Sequence, residues 1–375
     1  MSIESVSHIE FESVAADRCL AVIVIIQEIK VIKGADRIEL AIINGWQCVI
    51  KKGDFKVGDK VIYYCIDSIP DFTDPNAQSL VDMGIKRIKT IKIRGVISQG
   101  LLAPLKWLED RGYDISKLVE DDDVTEQLGV RKYVSPDEIS QYEKSDDSGN
   151  KYPSIVPKTD ENRLQNKVRY LNEIVDRNIV ITRKEDGCSC TFMYNEGKFT
   201  VCSRNFIVLP DIDISRDHYL ILEKKFNISE KMTKFGKNIA IQGEAIGPKI
   251  NGNKLKLDEL TYRVFNIFDI EKQCYLLHDK VTEICEMFEL EQVPVIYKGL
   301  VNNLTFKDKV YGTLIQDKIN GKQIILSEFL KLADGIEYSK GNRAEGLVVK
   351  TDDDFDKRVS FKVISNNFLI ANDKD

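Results

Sequence analysis

The chain has 375 residues, of which 43% are hydrophobic and 30% are charged. This length is about twice that of a common single domain, so we expect two domains, each with its own core. The composition is that of a globular protein and argues against general disorder. Apolar runs such as residues 20–26 and 295–297 are far shorter than the roughly 20 residues that cross a bilayer, and the N-terminus lacks the pattern of a secretory signal. We therefore expect no membrane association and a cytoplasmic or nuclear location.

The charged residues are unevenly distributed along the chain. Residues 1–150 carry 19 Lys and Arg and 26 Asp and Glu, a net charge of −7. The remaining residues carry 35 Lys and Arg and 34 Asp and Glu, a net charge of +1. Neither part resembles a polybasic nucleic-acid coat protein. The eight cysteines form no Cys-x2-Cys pair, and the three histidines lie far from the one Cys-x-Cys. A structural zinc site therefore has little support, and we expect reduced thiols.

Short β segments separated by turn residues occupy residues 18–104. The segments are 20–29, 38–50 with Asn44-Gly45 as an internal turn, 61–66, 89–93 and 97–102. About five strands within roughly 90 residues predict a small closed barrel, with an OB fold as the first choice. Lys92 and Arg94 are expected on one strand face, where they either contact RNA or keep an edge strand soluble.

Acidic and small polar residues dominate the next region, at 119–123, 135–138 and 143–150, and predict a linker. We place the domain boundary near residue 148, which gives domains 1–148 and 149–375. In the second domain, strand character is found at residues 180–182, 191–194, 198–203, 239–242, 262–270, 347–350 and 358–364. Helices are predicted at residues 160–170, 278–288 and 326–335. This mixture predicts an α+β domain with mainly antiparallel sheet.

The motif Lys184-Glu-Asp186-Gly187 follows one of the predicted strands. A lysine placed at a strand end before an Asp-Gly turn is presented to its surroundings, and lysine becomes a nucleophile when its amine is deprotonated. The tetrapeptide alone is weak evidence, because it arises by chance in about one protein in ten of this length. An exposed turn uses the same residues without any chemistry.

Five further segments follow this motif in order: Ser203-Arg204-Asn205, Gln242-Gly-Glu244, Val264-Phe265-Asn-Ile-Phe268-Asp269, Glu345-Gly-Leu-Val-Val-Lys350 and Val359-Ser-Phe-Lys362. The series resembles the covalent nucleotidyltransferase superfamily, which contains polynucleotide ligases and mRNA capping enzymes. Residues 243–253 and 151–166 look like the corresponding stretches of RNA ligases of the Deinococcus/Naegleria type, which carry an N-terminal OB domain. Only 13 residues follow Lys362. We therefore do not expect the C-terminal OB domain typical of DNA ligases and capping enzymes.

The resemblance implies an ATP-dependent RNA ligase that joins 3′-OH and 5′-phosphate ends, expected at nicks in duplexes, through lysyl–AMP and RNA–adenylate intermediates. ATP and Mg²⁺ or Mn²⁺ are the implied cofactors, RNA is the implied partner, and a monomer is the default. An mRNA capping guanylyltransferase and a DNA ligase remain alternative enzymes. An OB-fold RNA-binding protein without catalytic activity remains an alternative from a different class.

The resemblance also implies a role for each motif residue. Lys184 would be the nucleophile, Lys350 and Lys362 would neutralise the α-phosphate, and Glu345 would hold the metal through water. The implied nucleotide-binding residues are Thr182, Asp186, Gly187, Arg204, Glu244, Phe268, Arg163 and Lys158.

Three of these assignments keep alternatives. Phe268 would stack on adenine, with Phe265 as the competing choice. Lys158 and Arg163 would contact the leaving pyrophosphate. The alternative is a purely structural segment, a helix with Thr159 or Asp160 as its N-cap and with Arg163 and Asn166 on one face. Some phage RNA ligases have a second lysine where this chain has Ile364, which puts in doubt how tightly the phosphates are held.

Overall fold

The computed structural model describes residues 19–133, 150–209, 217–318, 320–355 and 357–372. Residues 19–133 form a β-rich N-terminal body with two short helices, α1 (Gln78–Asp82) and α2 (Lys106–Glu109). In chain order its strands are β1 (Ala21–Ile25), β2 (Glu28–Val31), β3 (Ile38–Ile43), β4 (Trp46–Lys51), β5 (Lys60–Tyr64), β6 (Ser68–Ile69), β7 (Thr90–Ile93), β8 (Val96–Gln99), β9 (Leu101–Pro104) and β10 (Arg131–Lys132). They pair as β1-β5-β9, β2-β3-β4, β7-β8 and β6-β10.

Two hairpin turns of this body follow from residues that tolerate a left-handed backbone. Asn44 and Gly45, with φ of 42° and 77°, join β3 to β4 as the sequence predicts. Arg94 and Gly95, with φ of 50° and 83°, join β7 to β8. Arg94 is therefore a turn residue, and the expectation that it shares a strand face with Lys92 is wrong.

The acidic segment 119–123 is folded, contrary to its prediction as linker. Its backbone extends along β1, where the Ile23 amide donates to the Asp122 carbonyl at 3.0 Å and the Val124 amide donates to the Ala21 carbonyl at 3.0 Å. Backbone pairing of this kind depends on the neighbouring strand and leaves no mark in local composition. The predicted boundary near residue 148 lies outside the described residues.

Beyond residue 150 the chain builds two sheets. The strands are β11 (Asn162–Arg163), β12 (Asn178–Lys184), β13 (Cys188–Asn195), β14 (Lys198–Cys202), β15 (Ile239–Ile246), β16 (Thr261–Asp269), β17 (Cys274–Tyr275), β18 (Glu291–Gln292), β19 (Val295–Leu300), β20 (Thr305–Phe306), β21 (Lys309–Val310), β22 (Glu337–Ser339), β23 (Asn342–Arg343), β24 (Gly346–Thr351) and β25 (Ser360–Ile364). The first sheet has the order β11-β25-β24-β12-β19, and the second has the order β14-β13-β15-β16-β17 with β18 paired to β16. β20-β21 and β22-β23 form two further small hairpins.

Helices cover one face of each sheet. The helices are α3 (Tyr170–Glu173), α4 (His218–Phe226), α5 (Ile228–Phe235), α6 (His278–Phe288), α7 (Tyr311–Leu314), α8 (Gly321–Gly335) and α9 (Asn366–Asn372). Apolar residues of α7 and α8 pack against the first sheet, and those of α4, α5 and α6 pack against the second. The prediction for 278–288 is confirmed, and the one for 326–335 covers the C-terminal part of α8.

The helix predicted at residues 160–170 is wrong. Asn162 and Arg163 instead form β11 and pair in parallel with Phe361 and Lys362 of β25. A 3₁₀ turn follows at Leu164–Asn166, and α3 begins only at Tyr170. The pairing with a strand almost 200 residues away overrides the local helical pattern.

The N-terminal body is joined to the sheets by buried polar contacts. The Trp46 indole Nε1 donates to Asn166 Oδ1 at 3.2 Å, and Asn166 Nδ2 donates to Cys65 Sγ at 3.0 Å. The Arg163 guanidinium lies 5.4 Å from the centre of the Trp46 ring. All eight cysteines are free thiols. No helix within the described residues is long and apolar enough to cross a membrane.

Candidate active site

The chain crosses from the first sheet to the second immediately after Lys184, because β12 ends there and β13 begins at Cys188. A cavity of about 320 Å³ lies at this crossing and is lined by residues of both sheets. Ten of the twelve residues predicted for the site line it: Arg163, Thr182, Lys184, Asp186, Gly187, Arg204, Glu244, Glu345, Lys350 and Lys362.

Strand pairing explains how distant motifs reach one cavity. Thr182 of β12 is opposite Val348 of β24, and Val348 is opposite Lys362 of β25. Arg163 of β11 is next to Lys362 in the parallel pairing. Residues in register across a sheet point to the same face, so these four form one row along the cavity.

The Lys184 amine is held by a carboxylate. Its Nζ lies 2.6 Å from Glu345 Oε2, and the Tyr338 hydroxyl ties the two backbones by donating to the Lys184 carbonyl and accepting from the Glu345 amide, each at 3.1 Å. Burial alone would lower the pKa of the Lys184 amine, but the carboxylates of Glu345 and Glu244 outweigh it and raise the pKa. The amine is therefore protonated near neutral pH and must lose a proton before it can act as a nucleophile.

Gly187 is required because the backbone just before β13 passes close to β15, its neighbour in the second sheet. A Cβ atom at this position would lie 2.2 Å from the Ala245 carbonyl oxygen. The same approach lets the Gly187 amide donate to Glu244 Oε1 at 3.1 Å. Burial raises the pKa of the Glu244 carboxyl to about 7.

The turn residue Asp186 is fixed by two side chains to which the sequence analysis gave no role. Asn251 Nδ2 donates to Asp186 Oδ1 at 3.1 Å and to the Gly187 carbonyl at 2.8 Å. Lys254 Nζ lies 3.0 Å from Asp186 Oδ2. Asn251 belongs to the segment 243–253 that resembles RNA ligases, so that resemblance was the available signal for it, and Lys254 directly follows the segment.

A second carboxylate, Asp160, forms ion pairs with basic side chains at the cavity wall. It pairs with Arg204 and with Lys132, whose Nζ lies 3.0 Å from Asp160 Oδ2. Burial would raise the pKa of Asp160, but Arg204, Lys362 and Lys132 outweigh it and hold the pKa far below its usual range. Lys132 belongs to β10, so the N-terminal body reaches the site, and no sequence signal pointed to this contact.

Lys350 is buried with few counter-charges. Its Nζ donates to the Phe265 carbonyl at 2.6 Å and to Asn266 Oδ1 at 2.9 Å. Burial, with the nearby charge of Arg358, lowers its pKa to about 7. An anion in the cavity would therefore raise the pKa of the Lys350 amine and favour its protonated form.

Two predicted residues are not in the cavity. Phe268 is 3% exposed and packs with Val156, Met193 and the Tyr275 ring, whose centre lies 5.1 Å away. The competing residue Phe265 lines the cavity instead, next to Asn266. The pairing of β15 with β16 shifts register here, which leaves Phe265 without a register partner, as in a β-bulge. The stacking assignment for Phe268 is corrected accordingly. Lys158 also lies away from the cavity lining.

Val348, to which the sequence analysis gave no role, lines the same cavity from the first sheet while Phe265 lines it from the second. An aromatic face and a branched aliphatic side chain on opposite walls suit a flat base between them.

The donor set fits a hard divalent cation that keeps much of its water. Within the described ranges, no three His, Cys, Asp or Glu side chains are grouped so as to hold an ion. Magnesium in phosphoryl-transfer sites commonly takes only one or two carboxylates and completes its shell with waters and phosphates. Glu345, beside Lys184, supplies such a carboxylate.

Sequence comparison places residues 177–364 in the RNA ligase family and residues 20–105 with an OB-fold domain. The chain belongs to the RNA ligase family. No curated protein sequence matches it. Among solved structures, Naegleria gruberi RNA ligase with pyrophosphate is 29% identical, with a TM-score of 0.73 over 96% of this chain and 100% of that one.

Two further structures of the Naegleria enzyme are similar to this RNA ligase. A lysine-to-alanine mutant with ATP and Mn is 29% identical, with a TM-score of 0.72 over 94% of this chain and 98% of that one. A lysine-to-methionine mutant with AMP and Mn is 30% identical, with a TM-score of 0.72 over 94% and 99%. The N-terminal OB fold, the α+β domain and the enzyme class expected from the sequence are confirmed.

Proposed function

We propose that this RNA ligase uses ATP and Mg²⁺ or Mn²⁺ to join a 3′-OH to a 5′-phosphate at nicks in duplex RNA. The observation that carries the proposal is the Lys184 amine, presented at a strand end into a cavity that Lys350 and Lys362 also line. The Naegleria structures with ATP, AMP and Mn support the choice of nucleotide and metal.

In the first step, the deprotonated Lys184 nitrogen attacks the α-phosphorus of ATP. A P–N bond forms, the bond to the β-phosphate oxygen breaks, and pyrophosphate leaves. Lys350 and Lys362 stabilise the charge that builds on the α-phosphate oxygens. We assign the leaving group to Arg163, because it is next to Lys362 in the strand pairing. A divalent cation held through water by Glu345 would neutralise phosphate charge and favour the neutral amine.

The next two steps transfer AMP and seal the strand. The 5′-phosphate of the RNA attacks the same phosphorus, the P–N bond breaks, and Lys184 takes back a proton. The 3′-OH then attacks the 5′-phosphate of the RNA–adenylate, and AMP leaves. All three steps are substitutions at phosphorus, so they depend on positioning and charge stabilisation.

The remaining residues hold the nucleotide. Phe265 and Val348 contact the two faces of adenine, and Glu244 accepts a hydrogen bond from a ribose hydroxyl. Arg204 binds phosphate or ribose and exchanges its pairing with Asp160 for the ligand.

The proposal is tested by mixing the purified chain with α-³²P-labelled ATP or GTP and Mg²⁺ or Mn²⁺, followed by denaturing gel electrophoresis. We expect label from ATP on the wild-type protein and none on Lys184→Ala. Nicked RNA and DNA duplexes then identify the substrate. Label from GTP would assign a capping activity instead, and folded protein without label would leave only RNA binding by the OB domain.

A further inference from the structure

The cavity of about 320 Å³ beside Lys184 is called the nucleotide cavity below. A second, open depression of about 690 Å³ lies next to it. We call it the 167–357 groove, because Lys167, Arg169, Lys357 and Arg358 line it. Glu161 lines both the groove and the nucleotide cavity, so the two are adjacent. The chain carries a net charge of −6, which makes four cations in one depression a local departure from the whole.

The groove is attached to the catalytic strands. Ser360 lies in its wall, two residues before Lys362 on β25, and donates to Glu161 Oε1 at 2.7 Å. Lys167 follows Arg163 by four residues. A ligand in the groove is therefore held at a fixed distance from two residues that face the reacting phosphates.

Two carboxylates, Glu161 and Glu173, oppose the four cations. Glu173 forms ion pairs with two of the cations. Lys357 Nζ lies 2.7 Å from Glu173 Oε2, and Arg169 Nε lies 3.9 Å from Glu173 Oε1. The Lys357 side chain is 75% exposed, so this pair contributes little and is readily exchanged for another anion. The groove thus keeps a net positive charge that a phosphate chain can neutralise.

The aromatic residues of the groove are already engaged. The Arg358 guanidinium lies 3.8 Å from the centre of the Tyr275 ring, and Tyr170 stacks on Phe361 with ring centres 5.9 Å apart. A surface with cations at its rim and occupied rings below favours contacts to the sugar–phosphate backbone over stacking with bases.

We propose that the 167–357 groove binds the backbone of the RNA substrate and leads it to the nucleotide cavity, without reading its sequence. This inference rests on the proposed function, because it assigns a path to the substrate of that activity. Lys167 and Lys357 do not line the nucleotide cavity, so RNA binding at the groove is separable from self-adenylylation.

The test uses the full chain and a fluorescent nicked RNA duplex, with binding followed by anisotropy without ATP at several salt concentrations. We expect Lys167→Ala and Lys357→Ala each to weaken binding about fivefold and to reduce the salt slope by about one. Lys331→Ala is the matched control, since its side chain is 63% exposed and its Nζ lies 2.9 Å from Glu328 Oε1. It should bind like wild type.

A variant that tightens RNA binding distinguishes an effect on the groove from general structural damage, which would only weaken binding. Glu173→Gln removes the anion that competes for Lys357 and Arg169, so it should tighten RNA binding. Wild-type affinity and salt slope in both lysine variants would overturn the groove assignment. Failure of the wild type to form lysyl–AMP would instead overturn the proposed function and leave the binding measurement standing by itself.

Discussion

The Nζ atom of Lys184 and the Oε2 atom of Glu345 lie 2.6 Å apart, at the ends of neighbouring strands. The candidate nucleophile is thus paired with the carboxylate proposed to hold the cation. While the pair is intact, the amine is protonated and cannot attack phosphorus. In the proposed mechanism, nucleotide and cation must therefore change the partners of Glu345 before the first step.

This pairing predicts a pH dependence for lysyl–AMP formation. The pKa of the Lys184 amine is raised, so the amine is mostly protonated at pH values below that pKa. In this range, the neutral fraction of the amine increases about tenfold for each unit by which the pH rises. We expect the single-turnover rate with labelled ATP to rise from about pH 6 to pH 9. The rate of a later step, measured with RNA–adenylate, serves as the control. A flat profile for the first step would contradict the assignment of a protonated resting amine.

The two phenylalanines of β16 should separate binding from stability. Phe268→Ala removes a buried core ring and should lower the free energy of unfolding by about 3 kcal/mol. Phe265→Ala should change stability by less than about 1 kcal/mol and weaken ATP binding, because the ring lines the cavity. Denaturant unfolding and equilibrium ATP binding measure the two effects. The reverse pattern would restore Phe268 as the stacking residue.

Substitution of Gly187 should displace the turn that follows Lys184 and so slow lysyl–AMP formation. In Gly187→Ala the new methyl group would lie 2.2 Å from the Ala245 carbonyl oxygen, so the turn must shift away from Glu244. A displacement of about 1 Å can cost about 100-fold in rate, and we expect at least that loss in lysyl–AMP formation. Gly335→Ala is the control, since nothing lies within 4 Å of its added Cβ atom, and it should retain wild-type activity.

ATP binding should take up protons at Lys350. With a pKa of about 7, this amine is largely neutral at pH 7.5, and an adjacent phosphate raises the pKa and favours the charged form. Calorimetry in two buffers with different ionisation enthalpies, without divalent metal, counts the protons. The uptake should be smaller in Lys350→Met than in wild type. Equal uptake in the two proteins would exclude Lys350 as its source.

The contact between Trp46 and Asn166 should contribute to stability. In Trp46→Phe the Nε1–H donor is lost and the Asn166 Oδ1 acceptor remains buried, which should cost about 1–3 kcal/mol in unfolding free energy. Because the Trp46 ring also lies against Arg163, we expect weaker ATP binding in the same variant. Tyr133→Phe, in the same body, is the control. Unchanged stability and ATP affinity in Trp46→Phe would contradict this coupling.

Much of the site was predictable because its chemistry depends on local patterns. Alternation in β12, β24 and β25 places Lys184, Lys350 and Lys362 on faces that the sequence already suggests. The Asn44-Gly45 hairpin was predictable for the same reason, since its two residues favour the backbone of the turn.

The parts that were not predictable depend on which surfaces meet. Phe265 and Phe268 are equally aromatic, and only the packing of the opposite sheet decides which one lines the cavity. Arg163 pairs with a strand near the other end of the chain, which no local propensity reveals. Lys132 reaches Asp160 from the N-terminal body, so its role depends on how the two bodies dock.

The contacts of Asp160 and Asn166 make truncation a poor way to isolate the adenylylating domain. A fragment that begins at residue 150 would lose Lys132 from Asp160, and Asn166 would lose both Trp46 and Cys65. Loss of activity in such a fragment would therefore combine damage to the cavity wall with loss of the OB surface. Point substitutions in the full chain keep these partners and separate the two effects.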